Sequence, residues 1–305
     1  MMMKWLEKIP HIKVGKILLY IVMIGIAFVF VYPFLYMIVT SLMSNEDLNN
    51  FSVTWIPRSL KFGNYSLASQ IIGYFNNLKN SLLITVLATL GQLISCSMAG
   101  YGMARFKNKG NGILFVIMIL AILVPAQTII VPEYLVYSNL GWLNTYLPLV
   151  IPSWVGYGLN GALYIFVFRQ FYLGFPKSVE EAAKVDGCGF LRVFFSIVFP
   201  VSKSSYVVVL VLGIVFHWNN SYEPAMFISN KAMQTLPAGL NNIVYTLTLP
   251  PEVMQNSFGI NSENALNNAV LMAGTFLVVV PILIAFCFLQ KMFIQGIEHT
   301  GLTGE

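Results

Sequence analysis

The chain has 305 residues, 57% of them apolar, and carries 17 Lys or Arg against 12 Asp or Glu. A soluble domain of this length would hold about 25% charged residues to wet its surface. This one holds 10%, which excludes an ordinary globular protein. Intrinsic disorder, collagen-like repeats and a secreted disulfide scaffold fail as well, because Cys96, Cys188 and Cys287 are few, odd in number and far apart.

In chain order, six windows contain no Asp, Glu, Lys or Arg: residues 17–45, 80–104, 110–132, 134–168, 204–222 and 264–290. A bilayer core needs about 20 mostly apolar residues, and an ionised side chain at its centre costs roughly 2.5 to 3.5 kcal/mol. The windows therefore predict an all-α polytopic membrane protein with six transmembrane helices, near 17–42, 81–104, 113–131, 147–169, 202–220 and 266–292. The first window is too long for a signal peptide's apolar region and no small-residue cleavage pattern follows it, so it reads as a retained span. The expected organisation is an N-terminal tail over 1–16 and a single transmembrane domain over 17–305.

Six spans put both termini on one side. That side collects Lys4, Lys8, Lys13, Lys16, Arg105, Lys107, Lys109, Arg169, Lys177, Lys184, Arg192, Lys203 and Lys291, against Arg58, Lys61, Lys79 and Lys231 on the other. Short cytoplasmic loops gather Lys and Arg, so both termini are expected in the cytoplasm. The net charge of +5 then reports topology, and its dispersal over several loops argues against a nucleic-acid surface. Outside, residues 43–79 hold the amphipathic run FGNYSLASQIIGYFNNL, and 221–265 form a loop rich in Asn, Ser and Pro. Inside, 170–203 is the longest and most charged cytoplasmic loop.

That loop predicts a short helix. Ser178 followed three residues later by Glu181 fits a capping box, while Gly187 and Gly189 suit the stop. Glu180 and Lys184, spaced i,i+4, are expected to pair on an exposed face, with Val179, Ala182, Ala183 and Asp186 on the other. A helix of about eight residues is not stable alone in water and needs a surface to pack on. These features fit either a docking element or an interfacial linker lying under the bundle.

The spans hold little chemistry. His217, Trp218, Asn219 and Asn220 sit at the external end of the fifth, where Trp218, Asn219 and Asn220 fit a polar solute path or an interfacial belt. Gln92, Gln127 and Asn160 read as hydrogen-bonding between helices, and Glu133 as exposed outside. His11, His217 and His299 are too dispersed in sequence to suggest a metal site. No GxxxxGK[ST], GxSxG or HExxH pattern occurs, which points away from an enzyme and from ATP binding by this chain. A self-contained channel or ion-coupled transporter is disfavoured because its spans would usually bury Asp, Glu, Arg or His.

Glu181-Ala182-Ala183, three residues, Gly187, nine residues, Ile197, one residue, Phe199 and Pro200 resemble the EAA signature of permease subunits in binding-protein-dependent ABC importers. Phe199 departs from the usual Leu. The resemblance extends through NSLLIT, AGYGMARFK, LGWLNT, FRQFYLGFP and WNN to the carbohydrate-uptake branch, similar to the second permease of maltose-type transporters. It implies a type I importer permease fold in the bacterial inner membrane, working by alternating access. Its implied contacts with a cytoplasmic ATPase are Glu181, Ala182, Ala183, Asp186, Gly187 and Pro200 on a coupling helix. It implies as partners a second EAA permease, two ATPase subunits that bind ATP and Mg, and an external solute-binding protein, a lipoprotein. The solute is then a sugar, an oligosaccharide by the length of the external loop, with another small polar solute as the alternative. The C-terminal FIQGIEHTGLTGE resembles the family's tail but departs from it at His299, Thr300 and Glu305.

Overall fold

The computed structural model describes residues 14–50, 52–53, 55–106, 110–249, 253 and 266–301, without the side chains of 14, 184 and 295–301. The basic residues before Val14, Lys107, Lys109, the loop stretch 254–265 and the last four residues lie outside the described residues. So does the side chain of His299.

No strand occurs among the described residues. Helix α1 (Val14–Ser41) is apolar on every side, and residues 15–36 are all exposed within this chain. A helix that is apolar all round and uncovered by protein has lipid or a partner subunit as its solvent. Among the described residues three helices are each long and apolar enough to cross a membrane: α1, α4 (Tyr74–Arg105) and α13 (Asn268–Gly301). Two further predicted spans are bent pairs. Helices α5 (Asn111–Leu123) and α6 (Ala126–Asn139) meet at 100°, and α10 (Phe190–Val201) and α11 (Lys203–Asn219) at 79°. In place of the fourth predicted span stand two short helices, α7 (Leu147–Trp154) and α8 (Gly161–Gly174), separated by residues 155–160, so by length and apolarity the described residues supply three single-helix spans and two bent ones against the six expected.

Each break has a local cause. Pro125 cannot donate a helical hydrogen bond and pushes Val124 into extended backbone (φ −78°, ψ 117°), so α5 stops there. Between α7 and α8, Gly156 (φ +76°), Gly158 (φ +37°) and Asn160 (φ +58°) are left-handed, which no α-helix continues through. The α10–α11 break falls at Ser202 (φ −83°, ψ 19°), two residues after Pro200, which has no N–H for the helical ladder; upstream within α10, Phe194–Val198 form a π-helical turn.

The chain forms two compact units, 1–68 with 249–276, and 69–248 with 277–305. In the first, the Asn64 amide at the start of α3 (Gly63–Ile72) donates to the carbonyls of Ser41 (2.8 Å) and Met43 (2.9 Å). Asp47, in the short α2 (Asn45–Leu48), is buried and accepts the backbone N–H of Arg58 at 3.2 Å. The second unit is built around α4. A Cβ on Gly100 would stand 2.8 Å from the Phe168 Cβ and 2.9 Å from the Arg169 backbone nitrogen, so α8 lies directly against α4. On α11, a Cβ on Gly213 would stand 2.9 Å from the Thr89 side chain. Small residues at such contacts let membrane helices approach without a hydrophobic drive between them. Cys96, Tyr101, Tyr164, Phe168, Tyr172 and Phe194 fill the core where α4, α8 and α10 converge.

Candidate functional site

Helix α9 (Lys177–Val185) is amphipathic and begins directly after Pro176, so Ser178 and Glu181 stand inside its first turns. Neither side chain makes a hydrogen bond among the described residues, and the expected capping box is not formed. The expected exposed pairing of Glu180 is corrected too. Glu180 is 2% exposed and faces α4. Arg105 Nε donates to its Oε1 at 2.7 Å, the Arg105 Nη2 stands 2.6 Å from the same oxygen as an ion pair, and the Tyr101 hydroxyl donates to its Oε2 at 3.0 Å. The same Arg105 Nη2 donates to the Phe175 carbonyl at 2.8 Å, which ties the chain entering α9 as well. A buried carboxylate needs a partner charge and full hydrogen bonding, and the end of α4 supplies both. Ala183, one turn on, is buried beside it.

This latch fixes which face α9 presents outward. Glu181, Ala182 and Asp186 are exposed, Val179 is 43% exposed and Val185 87% exposed. The result is an acidic and apolar tip that nothing among the described residues covers. The stop follows the glycine as expected: Gly187 has φ +81°, and the Cys188 N–H reaches back to the Ala183 carbonyl at 3.0 Å. Gly189 instead has extended backbone and starts α10. Pro200 is exposed near the far end of the same segment.

A second feature lies in the same unit, a cavity of about 350 Å³ bounded by α5, α6, α7, the 155–160 break, α8 and α12 (Tyr222–Phe227). Its polar lining includes Glu133, Tyr157, Asn160 and Glu223. Glu133 is half-buried and accepts the Tyr157 hydroxyl at 2.6 Å, so it is not the freely exposed residue expected. Glu223 accepts the Asn220 amide at 2.8 Å, and its own N–H donates to Asn220 Oδ1 at 3.3 Å. Burial, opposed by the Asn220 bond and reinforced by the charge of Glu133, pushes the Glu223 carboxyl up to about 7.

The other polar residues of the spans divide. Trp218 is 3% exposed and its indole donates to the Val278 carbonyl at 3.1 Å, while the Asn219 amide is exposed and bonds the Val215 carbonyl of its own helix. Gln92 bridges helices as expected, donating to the Leu159 carbonyl at 2.6 Å and meeting His217 Nε2 at 2.9 Å. Gln127 is exposed and makes no hydrogen bond among the described residues.

Residues 96–299, two thirds of the chain, match the family described as "Binding-protein-dependent transport system inner membrane component". The chain belongs to this family. The matched permease region includes the latch residues Tyr101, Arg105 and Glu180, the exposed tip of α9 and both cavity carboxylates. The permease is 30% identical over 298 residues to an arabinooligosaccharides transport system permease protein of Halalkalibacterium halodurans, covering 96% of this chain and 99% of that one. It is 30% identical over 278 residues to a melibiose/raffinose/stachyose import permease protein of Bacillus subtilis, covering 89% and 91%. A crystal structure of a bacterial ABC transporter involved in the import of the acidic polysaccharide alginate shares the permease fold, with TM-score 0.74 and 20% identity over 92% of this chain and 97% of that one. The permease is thus an inner-membrane transport component, and its family is not one of catalytic subunits.

Two members of these sites escape a reading of sequence alone. Glu180 carries a local signal for solvent, its spacing to Lys184, and Arg105 lies 75 residues away. Glu223 lies one residue beyond a charge-free window, where a carboxylate is ordinarily wet.

Proposed function

We propose that this permease imports an oligosaccharide by alternating access, driven by ATP hydrolysed on separate cytoplasmic subunits. The observation that carries the proposal is the uncovered tip of α9, held in one orientation by a buried ion pair to α4. A short helix exposing Val185 and two carboxylates gains stability by docking, and it is fixed to a long span that can transmit the movement. Glu181, Ala182, Asp186 and Gly187 form the docking face in this reading. Pro200, exposed near the end of the segment, borders that face, whereas Ala183 is buried beside Glu180 and packs α9 onto its own bundle instead of touching the partner.

The partners are two ATPase subunits that bind ATP and Mg, a second permease with its own EAA segment, and an external solute-binding lipoprotein. The names of the relatives supply the solute class, since arabinooligosaccharides, raffinose and stachyose are all oligosaccharides. The basic side of the chain is cytoplasmic, and both termini lie there. The solute path passes the end of α11, where Asn219 and Asn220 offer amides; Trp218 supports it from within the helix packing.

Cross-linking tests this reading. Val185→Cys in the whole complex should cross-link to an ATPase subunit, and in intact cells a membrane-impermeant thiol reagent should label it only after permeabilisation. Labelling of intact cells would reverse the orientation. A complex that cross-links α9 only to lipid would make it a linker.

A further inference from the structure

The cavity between α6, the 155–160 break and α12 has an unusual balance of charge. Two carboxylates line it, Glu133 and Glu223, and none of its lining residues is Lys, Arg or His. Each carboxylate is held by one neighbour, Glu133 by the Tyr157 hydroxyl and Glu223 by the Asn220 amide. The second oxygen of each, Glu133 Oε2 and Glu223 Oε1, has no hydrogen-bond partner among the described residues. Two positioned acceptors therefore face one space of about 350 Å³, at the small end of the range for ligand pockets.

The rest of the lining suits a sugar ring. Tyr137 and Phe227 bring aromatic surface, and Tyr137 is itself braced by Trp142 in a stacked pair at 5.7 Å. The left-handed backbone at Gly156, Gly158 and Asn160 opens the fourth span at this level and lets main chain border the cavity. Nonhelical backbone at membrane depth is tolerated where it lines a cavity. Carboxylate oxygens accept hydrogen bonds from sugar hydroxyls and repel other carboxylates, and a like-charge contact with no cation nearby is strongly unfavourable.

We propose that this permease holds a solute subsite of its own, in which Glu133 and Glu223 accept hydroxyls of an uncharged sugar unit and reject sugar acids. The inference rests on the oligosaccharide reading above and adds the charge class of the solute and the residues that select it. An ammonium-bearing sugar is the rival occupant that the same carboxylates would admit.

The test uses the complete transport complex, purified in detergent and reconstituted in vesicles. Uptake of arabinotriose, raffinose and stachyose first establishes which neutral sugar the complex carries. That sugar is then offered, beside trigalacturonate and chitosan trisaccharide, as a protectant against carbodiimide modification of Glu133 and Glu223 read by mass spectrometry. The expected result is at least tenfold slower modification with the imported neutral sugar and no protection by trigalacturonate. Glu133→Gln/Glu223→Gln should lose at least tenfold in uptake while the loaded binding protein still stimulates ATP hydrolysis. Equal protection by trigalacturonate, protection by the chitosan sugar alone, or unchanged uptake in the double variant would overturn the subsite. Failure of the wild-type complex to take up any of the three neutral sugars would remove the oligosaccharide reading itself, and the subsite with it. Uptake without protection would remove the subsite alone.

Discussion

Glu180 and Glu181 are adjacent carboxylates with opposite surroundings, one buried against Arg105 and Tyr101 and the other exposed. Removing one member of a buried ion pair leaves the other uncompensated and costs about 3 to 5 kcal/mol. Glu180→Ala should therefore lower the thermal midpoint of the detergent-solubilised permease severely. A paired change, Glu180→Met with Arg105→Met, should cost well under the sum of the two single changes. Additive losses in that double-mutant cycle would mean that the two side chains do not act together. Glu223 gives a pH signature. Its carboxyl is raised from an ordinary 4.5 to about 7, so the stability it contributes is fully present below about 4.5 and is lost as pH rises through about 7. The whole span is worth at most about 3 kcal/mol, and partial exposure brings it nearer 1 to 2. The thermal midpoint should fall between pH 5 and pH 7.5 in the wild type and fall less in Glu223→Gln; identical profiles would contradict the assignment. At this scale the local spacing of Glu180 to Lys184 suggested a surface pair, and only the fold brings Arg105 within reach. Gly187 was legible because a left-handed stop is a local requirement, met here at φ +81°.

Among elements, the charge-free windows located each of the three long apolar helices among the described residues, since avoidance of charge over about 20 residues is a one-dimensional property. Their breaks were less legible. Pro125 signals its own bend, but the gap at 155–160 depends on Gly156, Gly158 and Asn160 all adopting left-handed backbone, and no single residue there demands it. The same holds for contact surfaces. Gly100 looks like any glycine of a membrane helix, yet its missing side chain is what lets α8 lie against α4. Gly100→Val should strain this contact by about 1 to 3 kcal/mol, because the neighbour at 2.9 Å is backbone and cannot move aside as a flexible side chain would. Gly110→Val, at a glycine with nothing within 4 Å, is the control and should leave folding yield in detergent nearly unchanged. Equal yields from both variants would show that the α4–α8 contact is not tight.

At the scale of the molecule, the family and the membrane-embedded helical fold were legible because the EAA spacing and the hydropathy pattern are both written along the chain. What holds the EAA helix in place was not, because the latch joins a span to a loop distant in sequence. In the proposed mechanism the driving force enters the apolar bundle through the exposed tip of α9, and the Arg105–Glu180 ion pair joins that tip to α4. The most direct measurement is oligosaccharide uptake together with binding-protein-stimulated ATP hydrolysis, in the reconstituted complex with wild-type permease, Glu181→Gln or Gly187→Leu at matched incorporation. A docking α9 predicts that Glu181→Gln weakens ATPase association or uncouples hydrolysis from uptake. Gly187→Leu should be at least as damaging, since its left-handed backbone tolerates no branched side chain. Wild-type uptake and stimulation in both variants would contradict the account.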